Sequence, residues 1–208
     1  MQDRWYGDNR DLVKWATLIH LAHENRISTI LQVALYRQNE PLQLLKNGKP
    51  VIFPPAVQSH FPRDLDDISK LARQARVTIE VFKHTFSRPS DAYFESLRRR
   101  IDELHSKQLI VLLDPDTGMA PANSDCQHVR QSELVAVFSR LKAQDWLVIY
   151  QHRPRAKKWI DENKKKFAMW IGLPVRRIKS FSAPKLASDV AVFAANQGAR
   201  NSARPLKG

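Results

Sequence analysis

Two short stretches hold the side chains best able to do chemistry. The first is Asp114-Pro115-Asp116-Thr117-Gly118, which follows directly on the apolar run Gln108-Leu109-Ile110-Val111-Leu112-Leu113. Proline and glycine force a turn there, so two carboxylates arrive at the end of a buried strand. The second is Tyr150-Gln151-His152-Arg153, at the end of Trp146-Leu147-Val148-Ile149. Ligands of open α/β sheets bind beyond the carboxyl ends of the strands. With these strands side by side, Asp114, Asp116, Gln151 and His152 converge on one crevice. Carboxylates there can orient an amine, act as a general base or hold a divalent cation. Read blandly, Asp-Pro-Asp-Thr-Gly is a turn and nothing more. A third stretch, Gly7-Asp8-Asn9-Arg10-Asp11-Leu12-Val13-Lys14, places Asp11 and Lys14 on one face of a helix. On pattern alone it is equally a capped helix start with an ordinary ion pair.

The elements that must position these groups follow from periodicity. Asp8 or Asn9 caps a helix in which Leu12, Trp15, Leu18 or Ile19 and Ala22 recur at helical spacing, ending near Asn25. Ser28 to Tyr36 reads as a buried strand. Residues 37–63, broken by Pro41, Gly48, Pro50, Pro54, Pro55 and Pro62, form an irregular proline-rich insertion with a short strand at Val51-Ile52-Phe53. A helix from Asp64 to Ala75, a strand from Val77 to Phe82 and a helix capped by Ser90 precede the Gln108–Leu113 strand. After it come a helix from Ser132 to Ala143, the Trp146–Tyr150 strand, a basic helix from Ala156 to Ile171, and strands from Val175 to Phe181 and Asp189 to Ala195. The alternation predicts an α/β fold: a Rossmann-like, mostly parallel sheet of about seven strands, with helices on both faces and a C-terminal antiparallel strand pair. Residues 1–196 make one domain in this reading, and 197–208 a flexible basic tail.

Charge is the loudest global property. Over 208 residues the net charge is +13, and such an excess attracts polyanions. It is clustered: Arg153 to Lys179 holds ten Lys or Arg against Asp161 and Glu162. Arg153, Arg155, Lys157, Lys158, Arg176, Arg177 and Lys179 are the expected phosphate contacts, near the Asp114 end of the sheet or on the terminal hairpin. RNA and DNA fit equally well, and a basic surface kept for solubility is the bland counterpart. Asp161 to Lys165 and Glu162 to Lys166 are helix-supporting pairs, and Trp159, Phe167 and Trp170 at helical spacing read as core. Cys126 is single, which leaves no disulfide framework and no cysteine-based zinc cluster. Histidine spacing, including His20 and His23, does not describe a metal site, so no resident metal is expected. No apolar run approaches membrane-helix length, and the polar start lacks a signal-peptide core. The expected address is the cytoplasm.

A helix-preceded sheet ending in an antiparallel pair resembles the class I S-adenosylmethionine-dependent methyltransferase fold. Gly7, Asp11 and Lys14 near the N-terminus are similar to the opening of the 23S rRNA adenine-N6 methyltransferases of the J type. Asp114-Pro115 matches the first half of that family's Asp-Pro-Pro-Tyr motif, which receives the target amine. The resemblance implies S-adenosylmethionine as cofactor, with Asp11, Lys14, Tyr36 and Asp114 around it. Taken with the convergence of the two strand ends, which supplies Asp116 and His152, it makes Asp114, Asp116, Lys14 and His152 the catalytic candidates. It covers the two motifs and the strand order. The chain departs from the pattern where Asp116 and Thr117 replace the second proline and the aromatic residue. It also has no Gly-x-Gly loop after the first strand, where Tyr36-Arg37-Gln38 stands.

Three function classes follow. One is a methyltransferase-like enzyme acting on nucleic acid. Another is a non-catalytic nucleic-acid-binding protein on a degenerate methyltransferase fold. The third is a metal-dependent nuclease or phosphodiesterase in which Asp114, Asp116 and His152 hold Mg²⁺.

Overall fold

The computed structural model describes residues 8–36, 44–46, 49–51, 68–120, 126–154 and 158–198. Expectations for Gly7, for most of 37–63, for 64–67, for Arg155 and Lys157 and for 199–208 lie outside the described residues.

Helix α1 (Asn9–Asn25) starts where the Asp8 carboxylate accepts the N–H groups of Arg10 and Asp11, at 2.9 and 3.1 Å. Those donors would otherwise be left open at a helix start. The helix ends at Arg26, left-handed at φ 56°. Strand β1 (Thr29–Val33) follows, buried along its whole length. Strands β2 (Leu44–Lys46) and β3 (Lys49–Val51) pair as a hairpin, so the strand expected at 51–53 begins earlier. Next come α2 (Ile68–Ala75), β4 (Thr78–Phe82), α3 (Asp91–Glu103) and β5 (Leu109–Leu113). Two-residue strands β6 (Gly118–Met119) and β7 (His128–Val129) pair in parallel beyond β5.

Helix α4 (Gln131–Arg140) stops before the expected Ala143 because Leu141 turns extended, at ψ 148°. The Asp145 carboxylate then gathers the N–H groups of Lys142 and Leu109, at 2.8 and 2.9 Å. Strand β8 (Trp146–His152) and helix α5 (Trp159–Trp170) follow. The strand expected from Val175 starts late. The Arg177 N–H reaches the Pro174 carbonyl at 2.9 Å, winding Val175–Arg177 into a 3-10 turn before β9 (Lys179–Ala183). Strand β10 (Ala187–Asn196) closes the element order. Gln197 and Gly198, assigned to the tail by the sequence, are tied down through Phe138, Leu141 and Ala143 carbonyls at 2.7 to 3.0 Å.

The main sheet runs β4-β1-β5-β8-β10-β9. It has six strands among the described residues, where about seven were expected. β4, β1, β5 and β8 are parallel, and β10 lies antiparallel between β8 and β9. Alternation along each strand sends side chains to opposite faces. On one face Val111, Leu147 and Phe193 pack with Leu97 and Ile101 of α3, Leu134 and Val137 of α4 and Phe167 of α5. On the other, Ile30, Ile110, Leu112, Val148 and Val192 pack with Val13, Trp15, Leu18 and Leu21 of α1 and Ile68 of α2. No helix among the described residues is long and apolar enough to cross a membrane. The architecture gives the sheet two chemically distinct ends. The carboxyl end holds Phe82, Val33, Leu113 and His152, and the amino end holds Thr78, Thr29, Leu109 and Trp146.

Candidate functional site

Helix α1 presents Asp11, Lys14, Leu18 and Leu21 to the sheet at spacings of three and four, the period of a core-facing stripe. In the first turns of the helix, at the carboxyl end of the sheet, that stripe is charged. Lys14 is 2% exposed, and its ammonium donates to Asp114 Oδ2 at 2.8 Å and lies 2.5 Å from Asp11 Oδ1. Asp114, also 2% exposed, stands one residue beyond β5. Its backbone N–H still donates to the Val33 carbonyl at 3.0 Å, so the strand pairing fixes the carboxylate. Gln32, fully buried one residue before the end of β1, donates Nε2 to the same Asp114 oxygen at 2.7 Å. The Tyr150 ring lies 5.4 Å from the Lys14 ammonium, within cation–π range.

Burial alone would push the Lys14 ammonium down, but Asp114 and Asp11 outweigh it and hold its pKa above the usual lysine range. Burial first, then the Asp114 and Asp11 charges, pushes the Tyr150 phenol up. Asp11 and Asp114 hold this buried ammonium between them, and each of the three would be costly to bury alone.

A second ionic knot borders the first. Arg10 donates Nε and Nη2 to Asp189 Oδ2 at 2.9 and 2.7 Å, and Nη1 to Asp8 Oδ2 at 3.1 Å, fastening the start of α1 to the start of β10. His152 is half-buried at the end of β8, edge-on to Tyr150 at 5.0 Å between centroids. Burial, and then the Arg10 charge, holds its pKa below the ordinary 6.5.

The structure brings Asp11, Lys14 and Asp114 into direct contact and sets His152 close by. Asp116 is half-buried where the chain turns toward β6. Gln151 does not share the crevice as expected. Its Oε1 accepts the Met119 N–H at 2.9 Å, and its Nε2 donates to the Thr117 and His152 carbonyls at 3.0 and 2.8 Å. It is a clamp on the loop after Asp114. The clamp explains Gly118, which sits at φ 117° and whose added Cβ would lie 2.4 Å from the Gln151 amide. Tyr36 lies beyond β1 on the β4 side, bridged to Thr85, with the Lys83 ammonium 5.1 Å from its ring. Just before it, Leu35 is left-handed at φ 46°, a conformation that costs a non-glycine residue about 1–2 kcal/mol.

The basic residues divide. Arg153 and Lys158 are exposed near the carboxyl end. Arg177, by contrast, reaches Asn196, whose strand partner is Trp146 at the amino end of β8. Lys179 lies over the Trp146 ring at 4.9 Å and pairs with Glu24 at 2.8 Å. Arg176, Arg177 and Lys179 therefore stand at the opposite end of the sheet from Asp114, not beside it.

No protein-family model and no curated protein matches the chain. Among the described residues, His, Cys, Asp and Glu side chains do not gather in threes able to hold a metal ion.

Gln32 and the Arg10–Asp189 pair are the site residues that sequence reasoning missed. Gln32 had a signal, an amide inside an otherwise apolar strand. Asp189 had none, because its partner is 179 positions away. A further buried knot also escaped the sequence reading. Glu133 accepts the Arg130 N–H at 2.8 Å and the Ser90 hydroxyl at 2.5 Å, and also binds Arg88, locking the starts of α3 and α4 together.

Proposed function

We propose that the chain is a methyltransferase-like protein acting on nucleic acid, with S-adenosylmethionine as methyl donor and its reacting centre at Asp114. The observation that carries this reading is the 2.8 Å contact between Lys14 and Asp114. These residues come from the two motifs in which the chain resembles the J-type adenine-N6 methyltransferases. They meet, buried, beyond the carboxyl ends of central parallel strands, where α/β sheets bind ligands. The mostly parallel sheet with its closing antiparallel pair supports the reading at the level of fold, which alone does not establish activity.

The donor set fits the cofactor. An ammonium and a sulfonium suit the Asp11 and Asp114 carboxylates, a carboxylate suits Lys14, and an aromatic base suits the Tyr36 ring. The left-handed turn at Leu35 supplies, after β1, a conformation for which glycine is the ordinary means. The cofactor supplies an electrophilic methyl group. Both hydrogen bonds to Asp114 fall on Oδ2, so Oδ1 would accept the hydrogen bond of a target amine. His152, neutral at pH 7 because its pKa is held low, would take the proton that the nitrogen loses. Asp116 would face the entering substrate, and the exposed Arg153 and Lys158 would meet its phosphates.

Calorimetry with S-adenosylmethionine tests the reading. Saturable binding that Asp114→Ala weakens is expected, and absence of heat at millimolar cofactor sinks it. The same ion pair favours one other reading, since Lys14 already occupies the carboxylate a substrate amine would need. In that case the protein binds nucleic acid without catalysis, and binding survives Asp114→Ala while the cofactor is ignored.

A further inference from the structure

The end of the sheet opposite Asp114 carries a pattern that the crevice does not use. Each strand that starts there is preceded by an arginine or lysine. Arg76 stands two residues before β4, Arg26 three before β1, Lys107 two before β5, Lys142 four before β8, and Arg176 and Arg177 just before β9. Strand order places them in the sequence Arg76, Arg26, Lys107, Lys142, Arg177 across the sheet. With strands about 4.8 Å apart, the row extends roughly 24 Å, and sheet twist gives it a curve.

The row is continuous where it can be followed atom by atom. Lys142 Nζ donates to the His105 carbonyl, two residues from Lys107. Lys107 and Lys142 line a cavity of about 220 Å³ with Gln108, Ala143, Gln144 and Asp145. The Ala143 carbonyl accepts the Gly198 N–H at 3.0 Å. Gly198, at φ 63°, lies so close under the Arg177 guanidinium that an added Cβ would sit 2.1 Å from Nη2.

The cations of this row are exposed, apart from the half-buried Arg177. Among the described residues, no carboxylate forms an ion pair with Arg26, Arg76, Lys107 or Arg176. Asp145, the carboxylate in the cavity wall, is 1% exposed and spends its oxygens on the Lys142 and Leu109 N–H groups. Lysines and arginines near helix C-termini are favoured by the helix dipole, which accounts for Arg76 after α2 and Lys142 after α4. It accounts equally for Arg26, at which α1 ends, but less for Arg176 and Arg177, which lie inside a single 3-10 turn. It does not explain why the row stays unpaired across the whole sheet.

We infer that the amino end of the sheet is a nucleic-acid backbone surface, separate from the Asp114 crevice, on which Arg26, Arg76, Lys107, Lys142, Arg176 and Arg177 contact successive phosphates. A row about 24 Å long matches about seven nucleotides of one strand at 3.4 Å each. Exposed ammonium and guanidinium groups spaced along a line match the regular phosphates of a backbone, and such contacts position a strand without reading its sequence. The inference does not depend on methyl transfer, and failure to bind S-adenosylmethionine leaves it standing.

Fluorescence anisotropy with a labelled duplex DNA and a labelled single-stranded RNA, over a range of salt, tests it. Lys107→Glu with Lys142→Glu should lower affinity at least roughly tenfold for one or both probes at moderate salt. The neutral pair Lys107→Gln with Lys142→Gln should make the salt slope shallower by about 1.4–1.8. Lys165→Glu with Lys185→Glu, two exposed lysines outside the row and away from Arg153 and Lys158, should change affinity by less than about threefold, beyond the small screened effect of net charge. Circular dichroism confirms that each variant is folded, and the glutamine pair serves if the glutamate pair is not. The inference is overturned if the wild-type chain binds neither probe. It is also overturned if the glutamine pair keeps the wild-type salt slope, or if reversing Lys165 and Lys185 weakens binding as much as reversing Lys107 and Lys142. Binding to anionic lipid vesicles in place of both nucleic acids would overturn it as well.

Discussion

The two ends of the sheet use the same side chains in opposite ways. At the carboxyl end, Lys14 is sealed between two carboxylates and under a tyrosine ring, and Arg10 is spent on Asp8 and Asp189. At the amino end, Arg26, Arg76, Lys107 and Arg176 stand in solvent without a carboxylate partner among the described residues. A cation inside a low-dielectric knot is held by its partners and has little long-range field of its own. An exposed, unpaired cation contributes little to stability but adds to the field that meets a polyanion. In a chain of net charge +13, location and pairing decide the role, not residue type.

The contrast breaks most sharply at Lys14. Lys14→Met leaves Asp11 and Asp114 buried without their ammonium, and losing one partner of a buried pair costs about 3–5 kcal/mol. A large fall in the urea midpoint is expected, with part of it recovered when Asp114→Asn is added. An unchanged midpoint would mean that the pair is not buried as described. The pH dependence has a definite sign. The pKa of Lys14 is raised on folding, so its contribution is complete below the ordinary value of 10.5 and fades only as pH rises through the folded value. The gap between wild type and Lys14→Met should therefore be flat from roughly pH 7 to 10.

Gly118→Ala is the next largest. It combines an unfavourable φ with overlap on Gln151, and a cost of about 1–3 kcal/mol is expected. Gln151→Ala in the same chain relieves the overlap but not the φ, so the double variant should be no more than partly rescued in thermal melts. Full rescue would show that the backbone conformation carries no cost.

His152 gives a smaller effect. Because its pKa is lowered on folding, the unfolded chain binds its proton more readily, and stability falls as pH drops through 6.5. His152→Gln should flatten that acid-side slope in denaturation curves taken between about pH 5 and 8. An unaltered slope would place the acid sensitivity elsewhere. Smallest of all, Lys107→Gln or Arg176→Gln should shift stability by no more than about 0.5 kcal/mol. A loss as large as that of Lys14→Met would mean that the amino-end row is structural.

The strand cores were legible because long apolar runs such as Leu109 to Leu113 admit few other readings. The Lys14–Asp114 pair was legible only as two separate motifs, 100 positions apart, and periodicity cannot pair them. Gln151 misled because it sits beside His152 at a strand end. Successive strand residues face opposite sides, and its amide serves the neighbouring loop. The basic cluster misled for a reason of direction. Arg153 leaves β8 and Arg176 enters β9, so short separation in sequence becomes the full length of the sheet in space. Once the strands are known to be parallel, Arg26, Arg76 and Lys107 can be placed from the sequence alone, because each precedes one.

The place of β10 bears on how the molecule is made. From Val190 to Asn196 it bonds to β8 on one side, and β9 bonds on its other side, so an interior strand, next to the β9 edge, comes last in chain order among the described strands. Until it emerges from the ribosome, the edge of β8 lies open, lined by the wholly buried Leu147, Val148 and Ile149. Open apolar edges of this kind invite pairing with other chains. A chain cut short before Ala187 would therefore be expected to aggregate as it is synthesised, even with nearly all of its helices in hand.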